Sequence, residues 1–390
     1  MNNNLKIYLI AGEPSGDALG ARLMRALKKK TENRVEFFGI GGDTMEKEGM
    51  KSLFDISELA IMGLCEVIPS IPRVLKRIRQ TVDDIMRVRP DVVISIDSWS
   101  FGSRVQKKLR ALKTGIPQIH YVAPQVWAWK KKRARTMHKY VDRLLTLLPQ
   151  EPKYFTPYGL ATDFVGHPVI ESPVVNGDGE TFRRKYDIED GQKIICLLPG
   201  SRHNEVSRLL PVFLQAAQIL KQQHPELFFV IPTVKTVAQR VKAMLANAAL
   251  PVLVVEGEED RHNAMSASTA AIAASGTVAL ELAIADVPHV IGYKVAPLTA
   301  ALVKHFLHIQ FVNLSNILLG REIVPELLQE RCVAANIVLY INRFLEQDSF
   351  YRYQKEGFEK VRTILGLGRQ KPSENAADIV LGMIRSKEEA

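Results

Sequence analysis

The sequence predicts an α/β protein built from two successive doubly wound halves, each a parallel sheet with helices on both faces. Three observations carry this. Short apolar strand signals alternate with helical stretches along most of the chain. That alternation is broken by the polar, glycine-bearing stretch Ser172–Asp190 and then begins again. Glycine-containing loops follow strand signals in both halves, which is where ligands bind in open α/β sheets.

In the first half, Leu5–Ala11 reads as a strand, followed by the loop Gly12-Glu13-Pro14-Ser15-Gly16-Asp17 and a helix to about Lys30. Further strands are expected at Val35–Ile40, Asp91–Ile96, Pro117–Val122 and Leu144–Leu148, with Phe164–Val165 suited to a sixth. A linker is placed near Ser172. Second-half strands are expected at Lys193–Leu198, Leu227–Ile231, Val252–Val255, Ala270–Ala274 and His289–Ile291. After Val333 the pattern is helical only, with Pro372-Ser373 expected to start the last helix and Ser373 near its N-cap. The expected division is residues 1–171 and 172–349, with a ligand cleft between the two halves.

Composition narrows the class. The 390 residues suit two domains, and 46% apolar with 24% charged residues is ordinary for a globular protein. No apolar run reaches membrane-spanning length, and the apolar N-terminal segment has no basic stretch before it. Three cysteines without paired spacing fit a reducing compartment. The formal charge of +10 favours an anionic partner. Zinc-finger and RNA-binding aromatic signatures are missing, so nucleic acid is not the expected partner.

The organising stretch is Ser268–Pro288. A small-residue strand, Ala270–Ala274, runs into Ser275-Gly276-Thr277, with Thr277 read as N-cap of a helix over Val278–Ala285. Free amides and a helix dipole at a strand's carboxyl end make an anion site. Glu281 lies one helical turn beyond Thr277, where its carboxylate can accept from a ribose diol. Leu198-Pro199-Gly200-Ser201-Arg202 is a second anion-suited loop: Gly200 admits close backbone approach and Arg202 can pair bidentately with phosphate oxygens. Two such loops at one sheet edge point to a diphosphate. No Asp-x-Asp closes an apolar strand, so no metal site is expected. Neither Gly12–Asp17 nor Gly39–Gly42 has P-loop or dinucleotide-fingerprint spacing.

Asp97 ends the apolar run Val92–Ile96. It suits a general base, and equally a helix cap for Ser98–Leu112. His120–Arg133 is aromatic and then basic, and suits either an acceptor pocket or a solvated amphipathic helix. Residues 61–89 mix apolar residues with Arg73, Lys76, Arg77 and Arg79. Part of this segment belongs to a core. The rest suits an anionic membrane surface or acyl chains.

Taken together, Ala11–Asp17, Met62-Gly63, Ile96-Asp97, His120–Trp129, Gly166-His167-Pro168, Leu198–Arg202, Ser275–Thr277 with Glu281, Asn313–Asn316 and Pro325–Gln329 resemble the lipid-A-disaccharide synthase family, in that family's order over nearly the whole chain. The resemblance implies a GT-B glycosyltransferase of two Rossmann-like domains facing across a cleft, with residues 350–390 returning to the first. It implies condensation of UDP-2,3-diacylglucosamine with 2,3-diacylglucosamine 1-phosphate (lipid X) to a β-1,6 disaccharide and UDP, without a cofactor, in Gram-negative lipopolysaccharide synthesis. It also implies a cytoplasmic protein peripheral on the inner membrane, in a family some of whose members form homodimers. Asp97 would be the catalytic base. Gly200, Ser201, Arg202, Ser275, Gly276, Thr277, Glu281, Asn316 and Gln329 would serve the donor, and Ser15, Gly16, Asp17, Met62, Gly63 and Trp127 the acceptor side.

The chain departs from the family at Ser98-Trp99-Ser100-Phe101-Gly102, where the family continues its Asp with Pro-Asp-Phe-Asn. This leaves Asp97 as the sole candidate base in that loop. Two other readings stay open: another GT-B enzyme acting on UDP-GlcNAc (a murein glycosyltransferase or an epimerase), and a non-enzymatic nucleotide-binding or membrane-scaffold protein.

Overall fold

The computed structural model describes residues 4–59, 64–126, 132–246, 248, 250–295 and 310–388, without side-chain detail at 64–71, 387 and 388. Met62, Gly63 and Trp127 therefore lie outside the described residues. The chain forms two compact units: Met1–Pro168 with Gly368–Ala390, and Val169–Leu367.

The first unit carries a six-stranded parallel sheet. Its strands are β1 (Leu5–Ala11), β2 (Val35–Ile40), β3 (Val92–Ile96), β4 (Gln118–Tyr121), β5 (Arg143–Thr146) and β6 (Ala161–Phe164), in the order β2-β1-β3-β4-β5-β6. Strand β1 shows why both faces must be covered. Ile7, Leu9 and Ala11 enter one apolar cluster and Tyr8 and Ile10 another, all fully buried. The helices flanking this sheet include α1 (Pro14–Lys30), α2 (Asp43–Lys47), α3 (Leu64–Val88), α4 (Trp99–Ala111) and α5 (Lys132–Met137). Within α3, Ile78, Val82 and Ile85 are buried with Phe54 and Phe101, while Leu75 and Met86 are exposed.

The second unit repeats the plan. Strands β7 (Ile194–Leu198), β8 (Phe228–Thr233), β9 (Leu253–Glu256), β10 (Ala270–Ala274), β11 (His289–Tyr293) and β12 (Glu326–Leu328) form a parallel sheet ordered β12-β11-β10-β7-β8-β9. Its helices include α6 (Gly179–Lys185), α7 (His203–Gln223), α8 (Lys235–Leu245), α9 (Glu258–Ala267), α10 (Thr277–Ile284) and α11 (Leu314–Leu319). Then come α12 (Ala334–Leu345), α13 (Ser349–Leu365) and α14 (Pro372–Glu388). Strand β12 carried no strand signal, being three residues long behind Pro325.

Two expectations need correction. Residues from 350 do not all return to the first unit, because α13 packs on the second. Gln354 there accepts from the His289 amide at 2.8 Å and donates to the carbonyls of His289 and Ile323, and Phe358 stacks on the His289 ring. Only α14 joins the first unit, burying Ala376, Ala377 and Val380 against its core. Helix α10 begins at Thr277, so Gly276 and not Thr277 is its cap, without a side-chain capping bond. Helix α14 begins at Pro372, in agreement with the start expected at Pro372-Ser373.

Glu151, buried after β5, accepts from the amides of Leu147 and Leu148 at 3.1 and 3.0 Å. Burial pushes its carboxyl up to about 7, against the pull of those two amides. A raised folded-state pKa means that stability is greatest below the ordinary carboxyl range and is lost as pH rises through about 7. The Glu151→Gln variant should therefore gain on the wild type in chemical denaturation as pH rises from 5 to 8. Parallel pH profiles for the two proteins would refute this.

Candidate active site

Each sheet has one place where its strand order reverses. In the second unit it lies between β7 and β10, and in the first between β1 and β3. Connections leave such neighbouring strands toward opposite faces, so nothing crosses the crevice beyond their carboxyl ends.

In the second unit this crevice is a pocket of about 310 Å³. Gly200, Ser201 and Arg202 line it after β7, Ser275, Gly276 and Thr277 after β10, and Glu281 one turn into α10. Seven of the nine expected donor-side residues thus converge. Gly200 has φ +108°, a conformation that disfavours any side chain. Gly276 has φ +156°, with open space before its α-carbon. Helices α7 and α10 both begin at this edge, after Arg202 and Gly276, and neither cap residue makes a side-chain capping bond. Residues Ala279–Ile284 of α10 are all buried, while Gly276 and Thr277 at its start are exposed to a ligand or to water.

Three titratable groups that were not among the expected site residues, Arg261, His262 and Glu205, stand at the pocket. Arg261 of α9 donates from Nη2 to both oxygens of Glu281, at 3.2 and 3.3 Å, and Ser172 Oγ donates to Oε1 at 3.4 Å. Glu281 is 9% exposed, so this pair is held in place. His262 Nε2 stands 4.0 Å from the same carboxylate. Burial first, and the Arg261 charge second, bring His262 down to about 4, so at neutral pH Arg261 alone pairs with Glu281. The third group is Glu205. Its Oε2 accepts from the Ser201 amide at 3.2 Å and its Oε1 from Arg202 Nη1 at 3.1 Å. Arg261 lies in GEEDRHNAM, where neighbouring acidic residues suggest only a solvated helix, and the packing of α9 is what turns it inward.

Asn316 and Gln329 are not among the residues lining this pocket. Asn316 is fully buried. Its Nδ2 donates to Val324 O and Glu326 Oε1, and its Oδ1 accepts from the amides of Ile323 and Val324, all within 2.9 Å. Its hydrogen-bonding capacity is spent on closing the loop before β12. Gln329, at φ +48°, opens a short 3₁₀ turn after that strand.

In the first unit, Ser15 at the start of α1 donates to Asp97 Oδ2 at 3.3 Å. Asp97 has φ +54° and Ser98 φ +23°, and the Asp97 amide donates to Tyr121 O at 2.8 Å. A Cβ on Gly12 would stand 2.2 Å from Ser98 Oγ, so β1 and β3 end against each other only because residue 12 is glycine. The cap of α4 is Ser98, and no side chain caps that helix, so Asp97 does not serve as its cap. Burial raises the Asp97 pKa above the usual carboxylate range, while the Ser15 hydroxyl and the Ser98 amide moderate the rise. Val122, after β4, is β-branched and has φ +82°, a costly conformation of the kind found beside functional sites.

The remaining acceptor-side candidates divide. Asp17 is buried and accepts from the amides of Gly42, Thr44 and Met45 at 2.8, 3.0 and 3.1 Å, and from the Thr44 hydroxyl. It secures the start of α2 and is unavailable to an acceptor. Gly16 is buried, and a Cβ there would stand 3.3 Å from Ile96 O, so its smallness serves the packing of α1 on β3. In the departing segment, Phe101 is buried in an edge contact with Phe54, and Trp99 meets His120 edge-on at 5.3 Å under the Arg133 guanidinium. Aromatic packing therefore occupies the segment where the family pattern carries a second carboxylate.

Comparisons with known proteins bear on the family and the fold. The sequence profile of the lipid-A-disaccharide synthetase family matches residues 7–380. A lipid-A-disaccharide synthase of Paramagnetospirillum magneticum is 47% identical over 98% of both chains. One from Rhodospirillum centenum is also 47% identical, over 98% of this chain and 96% of its own. Among solved structures, a UDP-GlcNAc 2-epimerase from Neisseria meningitidis superposes with a TM-score of 0.63 at 14% identity, covering 98% of this chain and 100% of its own. A glycosyltransferase from Rickettsia africae gives 0.58 at 13% identity, covering 98% of each chain. Identities this low show the shared GT-B fold alone. The chain belongs to the lipid-A-disaccharide synthase family.

Proposed function

We propose that the protein joins UDP-2,3-diacylglucosamine to 2,3-diacylglucosamine 1-phosphate, giving the β-1,6-linked disaccharide 1-phosphate and UDP. The observation that most supports this is the meeting of Gly200–Arg202, the α10 N-terminus and Glu281 in one pocket at a strand-order reversal. Such a pocket suits a nucleoside diphosphate: amides and Arg202 meet the phosphates, and Glu281, steadied by Arg261, accepts from the ribose diol.

The reaction is an inverting displacement. The acceptor's 6-hydroxyl attacks the anomeric carbon, the bond from that carbon to the diphosphate oxygen breaks, and UDP departs with the bonding electrons. The transition state carries oxocarbenium character. Asp97 takes the proton of the attacking hydroxyl, and its raised pKa makes it a better base than an ordinary aspartate. Arg202 and the helix amides stabilise the charge that develops on the leaving diphosphate.

No helix among the described residues is long and apolar enough to cross a membrane. The lipid substrates are reached from the surface. Exposed Leu75 beside Lys76 and Arg79 on α3 suits peripheral attachment to an anionic inner-membrane leaflet. The family match does not favour the epimerase or murein-transferase alternative.

Incubation with both diacylated substrates should give a product of the disaccharide 1-phosphate mass. Equal turnover of unacylated UDP-GlcNAc, or no product, would overturn the assignment. Arg202→Ala should weaken UDP binding by about 10- to 100-fold in titration calorimetry. Asp97→Asn should lower kcat by about 10²- to 10⁴-fold with UDP affinity nearly unchanged. Because the base must be ionised, kcat/KM should fall on the acid side at a pH above the ordinary aspartate range. Ser15→Ala, which removes a bond that lowers the Asp97 pKa, should move that limb further upward. A limb that stays in place, or an active Asp97→Asn enzyme, would remove the base assignment.

A further inference from the structure

An anion of the protein itself, Glu205, stands in the proposed diphosphate cradle. One Glu205 carboxylate takes hydrogen bonds from the Ser201 amide and the Arg202 guanidinium together, two of the donors that a phosphate would use. It also lies over Gly200, whose added Cβ would come within 2.4 Å of Glu205 Oε2. The backbone surface that Gly200 leaves bare for a ligand is therefore covered by this side chain.

Glu205 sits in the first turn of α7, three residues beyond Arg202, where helical spacing and the positive helix end both favour the contact. The pairing is exchangeable: the Arg202 side chain is 71% exposed, and an ion pair of that kind contributes at most about 1 kcal/mol. Glu281, in the same pocket, is instead buried against Arg261.

We propose that Glu205 is a placeholder for the donor's diphosphate. Its carboxylate holds the Gly200–Arg202 loop in binding shape while the pocket is empty, and must swing out of the cradle when UDP or the UDP-sugar enters. The device sets donor affinity below what the cradle alone would give, and it lets UDP leave as Glu205 returns to its place. It acts on the phosphates and not on the nucleoside. This rests on the donor-site reading above.

Titration calorimetry with UDP and with uridine on the wild type, Glu205→Gln and Glu205→Ala tests it, with thermal unfolding as a check that the variants fold. Both variants should bind UDP about three- to tenfold more tightly than the wild type, since a competing charge of ordinary surface-pair strength is removed. Uridine affinity should not change. In 1 M salt the gain for UDP should shrink, as screening weakens the repulsion between the carboxylate and the diphosphate. Equal or weaker UDP binding by both folded variants overturns the placeholder and makes Glu205 a support for Arg202. A gain that extends equally to uridine overturns it too. A wild type that binds neither compound overturns the donor-site reading, and this proposal with it.

Discussion

A parallel sheet whose strand order reverses has two neighbouring strands that send their chains to opposite faces, and the space beyond their ends stays uncovered. In this protein β7 and β10 are one such pair and β1 and β3 another. Each pair delivers helix N-termini to the sheet edge, where the first amides have no helical carbonyl four residues earlier to accept from them. The anion-binding capacity follows from topology, and the side chains refine it.

The charges in the second-unit pocket are of two kinds. Arg261 and Glu281 form a largely enclosed pair, joined through Ser172 to the start of this unit. Removing one partner would leave the other nearly buried and unpaired, so the pair behaves as a fixed fitting. Arg202 lies at the exposed rim, where water competes for its guanidinium, and Glu205 is half-buried beside it. The first unit uses strain instead. Asp97, Ser98 and Val122 all hold positive φ at the ends of adjacent strands, and the Gly12–Ser98 contact tolerates nothing larger than hydrogen on residue 12. These constraints hold one carboxylate, itself partly desolvated, in a single orientation.

Several polar residues close to these sites have a different task. Asp17, Asn316 and Gln354 are buried, and each spends its hydrogen bonds on backbone groups that would otherwise be buried without partners. Asp17 secures a helix start, Asn316 a loop, and Gln354 the attachment of α13 to the second sheet. A motif containing such residues marks the architecture that carries a site as much as the groups that touch a ligand.

The sequence by itself determined the strands other than β12 and the order in which they recur, since small apolar runs between glycine turns have few other uses. It also determined the two anion-suited loops and the helix that follows Gly276, because glycine placement and helix-start chemistry act locally. Tertiary structure decided which of those loops share a pocket: Leu198 and Ala274 lie far apart in the chain and become neighbours through strand pairing. Tertiary structure alone placed Arg261 against Glu281 and Glu205 across Gly200. It also tied Asp17 and Asn316 to neighbouring backbone groups and packed α13 on the second unit. The physical reason is common to all of these. Whether a polar side chain meets a ligand or a backbone amide depends on which partners packing brings within about 3 Å, a distance that sequence spacing does not encode.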